Sequence, residues 1–173
     1  MFDKLPNCLP PFNWTQIASH KRKSVFYTLL KGGDDMFKKI MVPVDLANVA
    51  GLERALGCAA DLAKLYHSPI VYVGVTSSGP TSQAPNPEVF HKKLSAFVER
   101  EVGRHGVKAD AHTAIAHDLT TEVDDALFRA IDETQADLVV MASHIPGVLE
   151  YIWPSNGGKI AGHARCSVML VRS

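Results

Sequence analysis

With 173 residues, 46% of them hydrophobic and 21% charged, the chain has the composition of one globular domain rather than of a disordered or low-complexity protein. Eighteen basic residues balance eighteen acidic ones, which leaves no broad cationic field for nucleic acid or an anionic membrane surface. No apolar stretch approaches the roughly twenty residues that a membrane-spanning helix needs.

Residues 1–35 differ from the rest. They hold Pro6, Pro10 and Pro11, isolated aromatics at Phe2, Phe12 and Trp14, the basic run His20–Lys23, and a Gly-Gly-Asp-Asp exit ahead of Met36. They read as a loosely ordered N-terminal extension, with at most a marginal helix over Thr15–Leu30. The competing reading is an arm that docks on a partner, and Met36 is an alternative start. Ser24–Leu30 after a basic triplet imitates a signal peptide, but Lys31 closes it and no small-residue cleavage pattern follows. The expected location is therefore the cytoplasm.

From Met36 the pattern becomes regular. Lys39–Val44 is a short apolar run that ends at Asp45 and predicts a buried strand. Asn48–Tyr66 spaces Leu52, Ala55, Leu56, Ala59, Leu62, Ala63 and Tyr66 along one helical face. Pro69–Val75 is a second strand, followed by a Ser/Gly/Pro-rich loop as far as Pro87. Glu88–His105 carries Phe90, Leu94, Phe97, Val98 and Val102 on a helical stripe, and Val107–Ala116 is a weaker, alternating strand. Glu122–Thr134 is helical again, Leu138–Ala142 a fourth strand, Gly157–Ala164 a short helix and Ser167–Arg172 a fifth strand.

Strands and helices thus alternate over residues 36–173. Apolar strands without alternation, each followed by a helix, predict an α/β fold: a five-stranded parallel sheet, doubly wound, with helices on both faces. In such sheets ligands sit beyond the carboxyl ends of the strands, where the strand order reverses. Pro43–Asn48, Thr76–Pro87 and Ser143–Asn156 are the loops that meet this condition.

Asp45, at the carboxyl end of the first strand, can accept hydrogen bonds from a ribose hydroxyl. With equal weight, Asp45 or Asn48 can cap the following helix. Pro154-Ser155-Asn156-Gly157-Gly158 opens the last helix, where free amides and the positive helix end favour phosphate and Lys159 adds charge. An ordinary capped turn explains the same residues. Ser143-His144 evokes a nucleophile and base, but neighbouring side chains diverge and no GxSxG elbow surrounds them. Tyr151, Ile152 and Trp153 read as packing beneath a loop, with a partner surface as the lesser option.

Cys8, Cys58 and Cys166 fall at no metal-ligand spacing, and the eight histidines form no cluster. No metal site is expected. Cys58 and Cys166 read as small buried hydrophobes.

Taken in order, KKIMVPVD, the strand–helix alternation, DLVVMASH, Ser155-Asn156 and HARCSVMLVR resemble the universal stress protein family. The resemblance spans Met36–Ser173 and is strongest in Ala142-Ser143-His144, Pro146, His163-Ala164 and Ser167-Val168. It implies a five-stranded parallel sheet of the kind found in adenine nucleotide α-hydrolases, a homodimer held through Ser167–Arg172, and a protein partner not specified by the sequence. In the nucleotide-binding branch of that family ATP sits at the ends of strands one and four, on a G-x2-G-x9-G-[ST] pattern. This chain departs from it. Ala142 and Ile145 replace the first two glycines, Pro154-Ser155 stands where Gly-Ser belongs, and one residue is missing between them.

Proline at position 154 fixes φ and removes one phosphate donor. What the resemblance carries over is Pro43, Val44, Asp45 for ribose, the Val75 backbone for adenine, and Ala142, Ser143, Pro154, Ser155, Asn156 and Gly157 toward phosphate. The implied ligand is ATP or AMP, with or without Mg. The implied role is a dimeric regulator in the stress response with little or no turnover. The alternative is an interaction module of the same fold that has given up nucleotide.

Overall fold

The computed structural model describes residues 36–143 and 156–172. Five parallel strands, β1 (Ile40–Pro43), β2 (Ile70–Ser77), β3 (Ala109–Ala116), β4 (Leu138–Ser143) and β5 (Ser167–Arg172), form one sheet in the order β3-β2-β1-β4-β5. The helices are α1 (Glu53–Tyr66), α2 (Pro87–His105), α3 (Val123–Thr134) and α4 (Asn156–His163).

Strand side chains alternate between two apolar layers, as the pleat requires. Ile40, Val42, Ile70 and Tyr72 pack against Leu56 and Ala59 of α1 and Phe90, Leu94 and Phe97 of α2. Met41, Val71, Val73 and Val139 face Leu127 and Ile131 of α3 and Ile160 of α4. The doubly wound sheet expected from the strand–helix alternation is therefore present. At Gly74 the fit to α2 is closest: a Cβ there would lie 2.7 Å from the Phe90 ring, so only glycine lets helix and sheet approach this near.

Helix boundaries follow local chemistry. The side chain of Asn86 accepts a hydrogen bond from Val89 N–H at 2.9 Å, with Pro87 in the first turn of α2. Gly106 ends that helix at φ 66° and returns its N–H to Val102.

Several boundaries differ from the sequence expectation. The helix predicted from Asn48 opens instead with a 3-10 turn, Val49–Leu52, and becomes α-helical at Glu53, because Asn48 makes no side-chain cap. The strand predicted to stop at Val75 continues to Ser77, and the third begins at Ala109 rather than Val107. The last helix starts at Asn156 and ends at His163. Cys58 and Cys166, expected to be buried, are each partly exposed. Cys58 lies on the flank of α1 beside β5, its Sγ 3.8 Å from Met169 Sδ. Residues 1–35, with Cys8 and the Thr15–Leu30 helix, lie outside the described residues.

The two sheet edges are unlike each other. The outward backbone of β3 is capped at Ile115, whose carbonyl accepts from Arg129 Nη2 at 2.9 Å. On β5, Ser167 N–H bonds to Asp137, so by alternation Val168, Leu170 and Arg172 turn their amides and carbonyls away from the sheet. Met169 and Leu170 are 41% and 39% exposed there.

Candidate functional site

The strand order reverses between β1 and β4. These strands pair through Ile40↔Leu138 and Met41↔Val139. Beyond that, β1 continues beside β2 to Pro43↔Val73 and β4 continues beside β5 to Ser143↔Arg172. The central strands therefore part after Met41, and their carboxyl ends flank a crevice at the topological switch point. Pro43, Val44 and Asp45 stand on one side; Ala142 and Ser143, both half-buried, stand on the other.

Asp45 is 7% exposed, and its two carboxylate oxygens have different surroundings. Oδ1 accepts from Ala47 N–H at 2.9 Å, closing an Asx-type turn, and from Gln83 Nε2 at 3.2 Å. Oδ2 is buried and receives no hydrogen bond. A buried acceptor left bare costs about 1–3 kcal/mol, so this atom is suited to a donor from outside the chain. The helix-capping reading of Asp45 or Asn48 is not met: neither side chain caps the 3-10 turn or the helix that follows. The backbone cap it provides goes to Ala47 in the turn and not to a helix end.

Val75 is placed by the same strand arithmetic. Pro69 and Val73 turn their carbonyls toward β1, the latter bonded to Val44 N–H at 2.8 Å. Two residues on, Val75 turns its N–H and C=O the same way, past the point where β1 has ended. Its backbone thus faces the crevice, and the strand itself runs on to Ser77.

On the phosphate side two residues have contacts of their own. Lys159 Nζ is 2.9 Å from Asp124 Oδ2 on α3, and that bond raises the lysine pKa. Gly157 also packs closely, since a Cβ there would come within 3.1 Å of Leu170. Gly158 meets nothing within 4 Å. His144, Ile145, Pro146, Tyr151, Ile152, Trp153, Pro154, Ser155 and the side chain of Asn156 lie outside the described residues.

Gln83 is the residue that sequence reasoning missed. Its loop is held by Thr81, whose Oγ1 accepts from Ala84 N–H at 3.0 Å and whose N–H donates to Ala84 O at 2.8 Å. Lys93 Nζ donates to the Gln83 carbonyl. A Thr-initiated turn is legible in a sequence; that its glutamine reaches Asp45 is not.

Among the described residues, two surface hollows lie away from the crevice. One of about 400 Å³ sits at the amino ends of β2 and β3 beside Lys64, Pro69 and Lys108. The other, about 250 Å³, lies on the β3 edge by Thr113, Arg129 and Glu133. Among the described residues no group of three or more His, Cys, Asp or Glu could hold a metal ion. No described helix is long and apolar enough to cross a membrane.

The profile of the universal stress protein family matches residues 36–172. The chain belongs to the universal stress protein family. Solved structures of that family share the fold at low identity. A universal stress protein family member from Burkholderia pseudomallei is 22% identical, with a TM-score of 0.57, and the match covers 82% of this chain and 99% of that one. The Archaeoglobus fulgidus universal stress protein in complex with dAMP is 20% identical, with a TM-score of 0.57 and coverage of 77% and 96%. An Arabidopsis thaliana family protein with AMP bound is 18% identical, with a TM-score of 0.54 and coverage of 78% and 91%.

Proposed function

We propose that this universal stress protein binds an adenine nucleotide, AMP or ATP, in the crevice between β1 and β4, and acts as a dimeric regulator with little or no turnover. The observation that carries the reading is the bare Oδ2 of Asp45, buried at the strand switch point. A ribose hydroxyl supplies the donor that this atom lacks, and the Val75 backbone offers the N–H and C=O pair that an adenine edge requires. Family structures with dAMP and AMP support the ligand class.

Turnover needs a positioned metal and water, and among the described residues Asp45 is the carboxylate at the crevice. It is engaged through Oδ1 in the turn and the Gln83 contact. Binding without efficient hydrolysis is the function that suits such a site. Mg, where it accompanies the nucleotide, would ride on the phosphates.

The test is direct. Heat-denatured pure protein should release adenine nucleotide detectable by mass spectrometry, and calorimetry should show AMP or ATP binding to the emptied protein. Asp45→Ala should weaken that binding at least tenfold, the equivalent of about 1.4 kcal/mol. Absence of released nucleotide together with no heat on millimolar AMP or ATP refutes the proposal.

The exposed β5 edge favours association of two copies through Ser167–Arg172, by main-chain pairing and contact of Met169 and Leu170. It also supports the second reading, an interaction module without nucleotide. Charged substitutions at Val168 and Leu170 should convert dimers to monomers in light scattering. Dimers that survive both changes exclude this edge.

A further inference from the structure

We propose that Gln83 is a second hydroxyl-recognising side chain, forming with Asp45 a two-acceptor clamp for the neighbouring 2′ and 3′ hydroxyls of a ribose. The inference rests on the nucleotide reading of the crevice and assigns a residue that this reading does not require.

Gln83 Nε2 donates to Asp45 Oδ1 at 3.2 Å. That bond joins two planar groups and leaves one oxygen of each over. Both leftovers, Asp45 Oδ2 and Gln83 Oε1, are buried and without a hydrogen-bond partner. One orphaned acceptor is a local cost; two, on groups already tied together, form a matched pair. Both accept and neither donates, so the complementary ligand presents two hydrogen-bond donors on adjacent atoms. A vicinal diol does this. A phosphate or a carboxylate does the opposite and would be repelled.

The clamp is also held in advance. Asp45 Oδ1 is fixed by Ala47 N–H, and the backbone of Gln83 is held by the Thr81–Ala84 turn and by Lys93. Acceptors anchored in this way lose little freedom when a ligand arrives, which favours recognition. A site built to receive a hydroxyl discriminates strongly against an analogue lacking it, because its polar atom is then left buried and unpaired.

The experiment measures binding of AMP, 2′-deoxy-AMP and 3′-deoxy-AMP to the wild-type protein, to Gln83→Met, which keeps the length of the side chain without its amide, and to Gln83→Ala. Wild-type protein should bind AMP about tenfold more tightly than either deoxy analogue. Each Gln83 variant should lose about tenfold for AMP and should cease to discriminate against one of the two analogues. A general loosening of the loop would weaken all three ligands equally and leave the ratios unchanged, which overturns the clamp. AMP binding with no preference over the deoxy analogues in wild-type protein overturns it as well, while the nucleotide reading stands. Failure of all three ligands to bind defeats both.

Discussion

Lys159 of α4 places its ammonium 2.9 Å from Oδ2 of Asp124 on α3, and the two partners are unequally buried. The lysine side chain is 51% exposed and the aspartate 10%. Asp124 Oδ1 is buried without a hydrogen bond, so the lysine is the cation that compensates this carboxylate. Removing one partner is therefore not equivalent to removing the other. Lys159→Met should lower the melting temperature more than Asp124→Asn, because the first strands a buried charge and the second frees a lysine that water can solvate. Thermal melts of the two variants decide the order.

Gly74 leaves no room for a methyl group. With a Cβ 2.7 Å from Phe90, Gly74→Ala must displace the ring or the helix that carries it, at a cost of about 1–3 kcal/mol. Urea unfolding should show a lower midpoint with an unchanged slope. The double change Gly74→Ala with Phe90→Leu should recover part of the loss.

Tyr72 is fully buried, its ring edge-on to Phe97 at 5.5 Å, and its hydroxyl has no partner. Tyr72→Phe keeps the ring contact and removes the unpaired group, so stability should rise by about 1 kcal/mol. Burial, reinforced by the charge of Glu101, holds the phenol pKa far above its ordinary value. The folded protein then retains a proton that the unfolded chain gives up near pH 10. Stability is intact below that pH and falls as pH rises beyond it. In Tyr72→Phe the alkaline fall should be shallower, as measured by urea midpoints between pH 9 and 11.

The cap on α2 rests on one side chain. Asn86→Ala removes the acceptor for Val89 N–H and should cost about 1 kcal/mol; Asn86→Asp should cost less. Amide exchange at Val89 reports the change directly.

Much of this arrangement was legible in the chain. Buried strands such as Ile40–Pro43 and Leu138–Ser143 announce themselves as unbroken apolar runs, and Phe90, Leu94 and Phe97 recur at helical spacing. Asp45 was visible as the acid that ends the first strand. What periodicity does not carry is which groups meet across the fold. Gln83 stands in a loop without a repeat and reaches a carboxylate in the turn after β1. Lys159 looked free beside a glycine turn because nothing local to it reveals Asp124. The 3-10 start of the first helical segment is equally invisible to periodicity, since the apolar spacing from Leu52 onward is the same whether or not Asn48 caps the turn.

The unlike edges of the sheet bear on how copies of this chain can add to one another. Arg129 occupies the outward carbonyl of Ile115 on β3, while among the described residues no strand pairs with the outer side of β5. A sheet with two adhesive borders can grow from both and has no natural end; one with a single open border meets a second such border and has nothing left to offer. Should copies pair through β5 as proposed, the arginine on the far side would be one obstacle to further addition. Arg129→Ala, by exposing the second border, is the change that would turn a self-terminating contact into a propagating one.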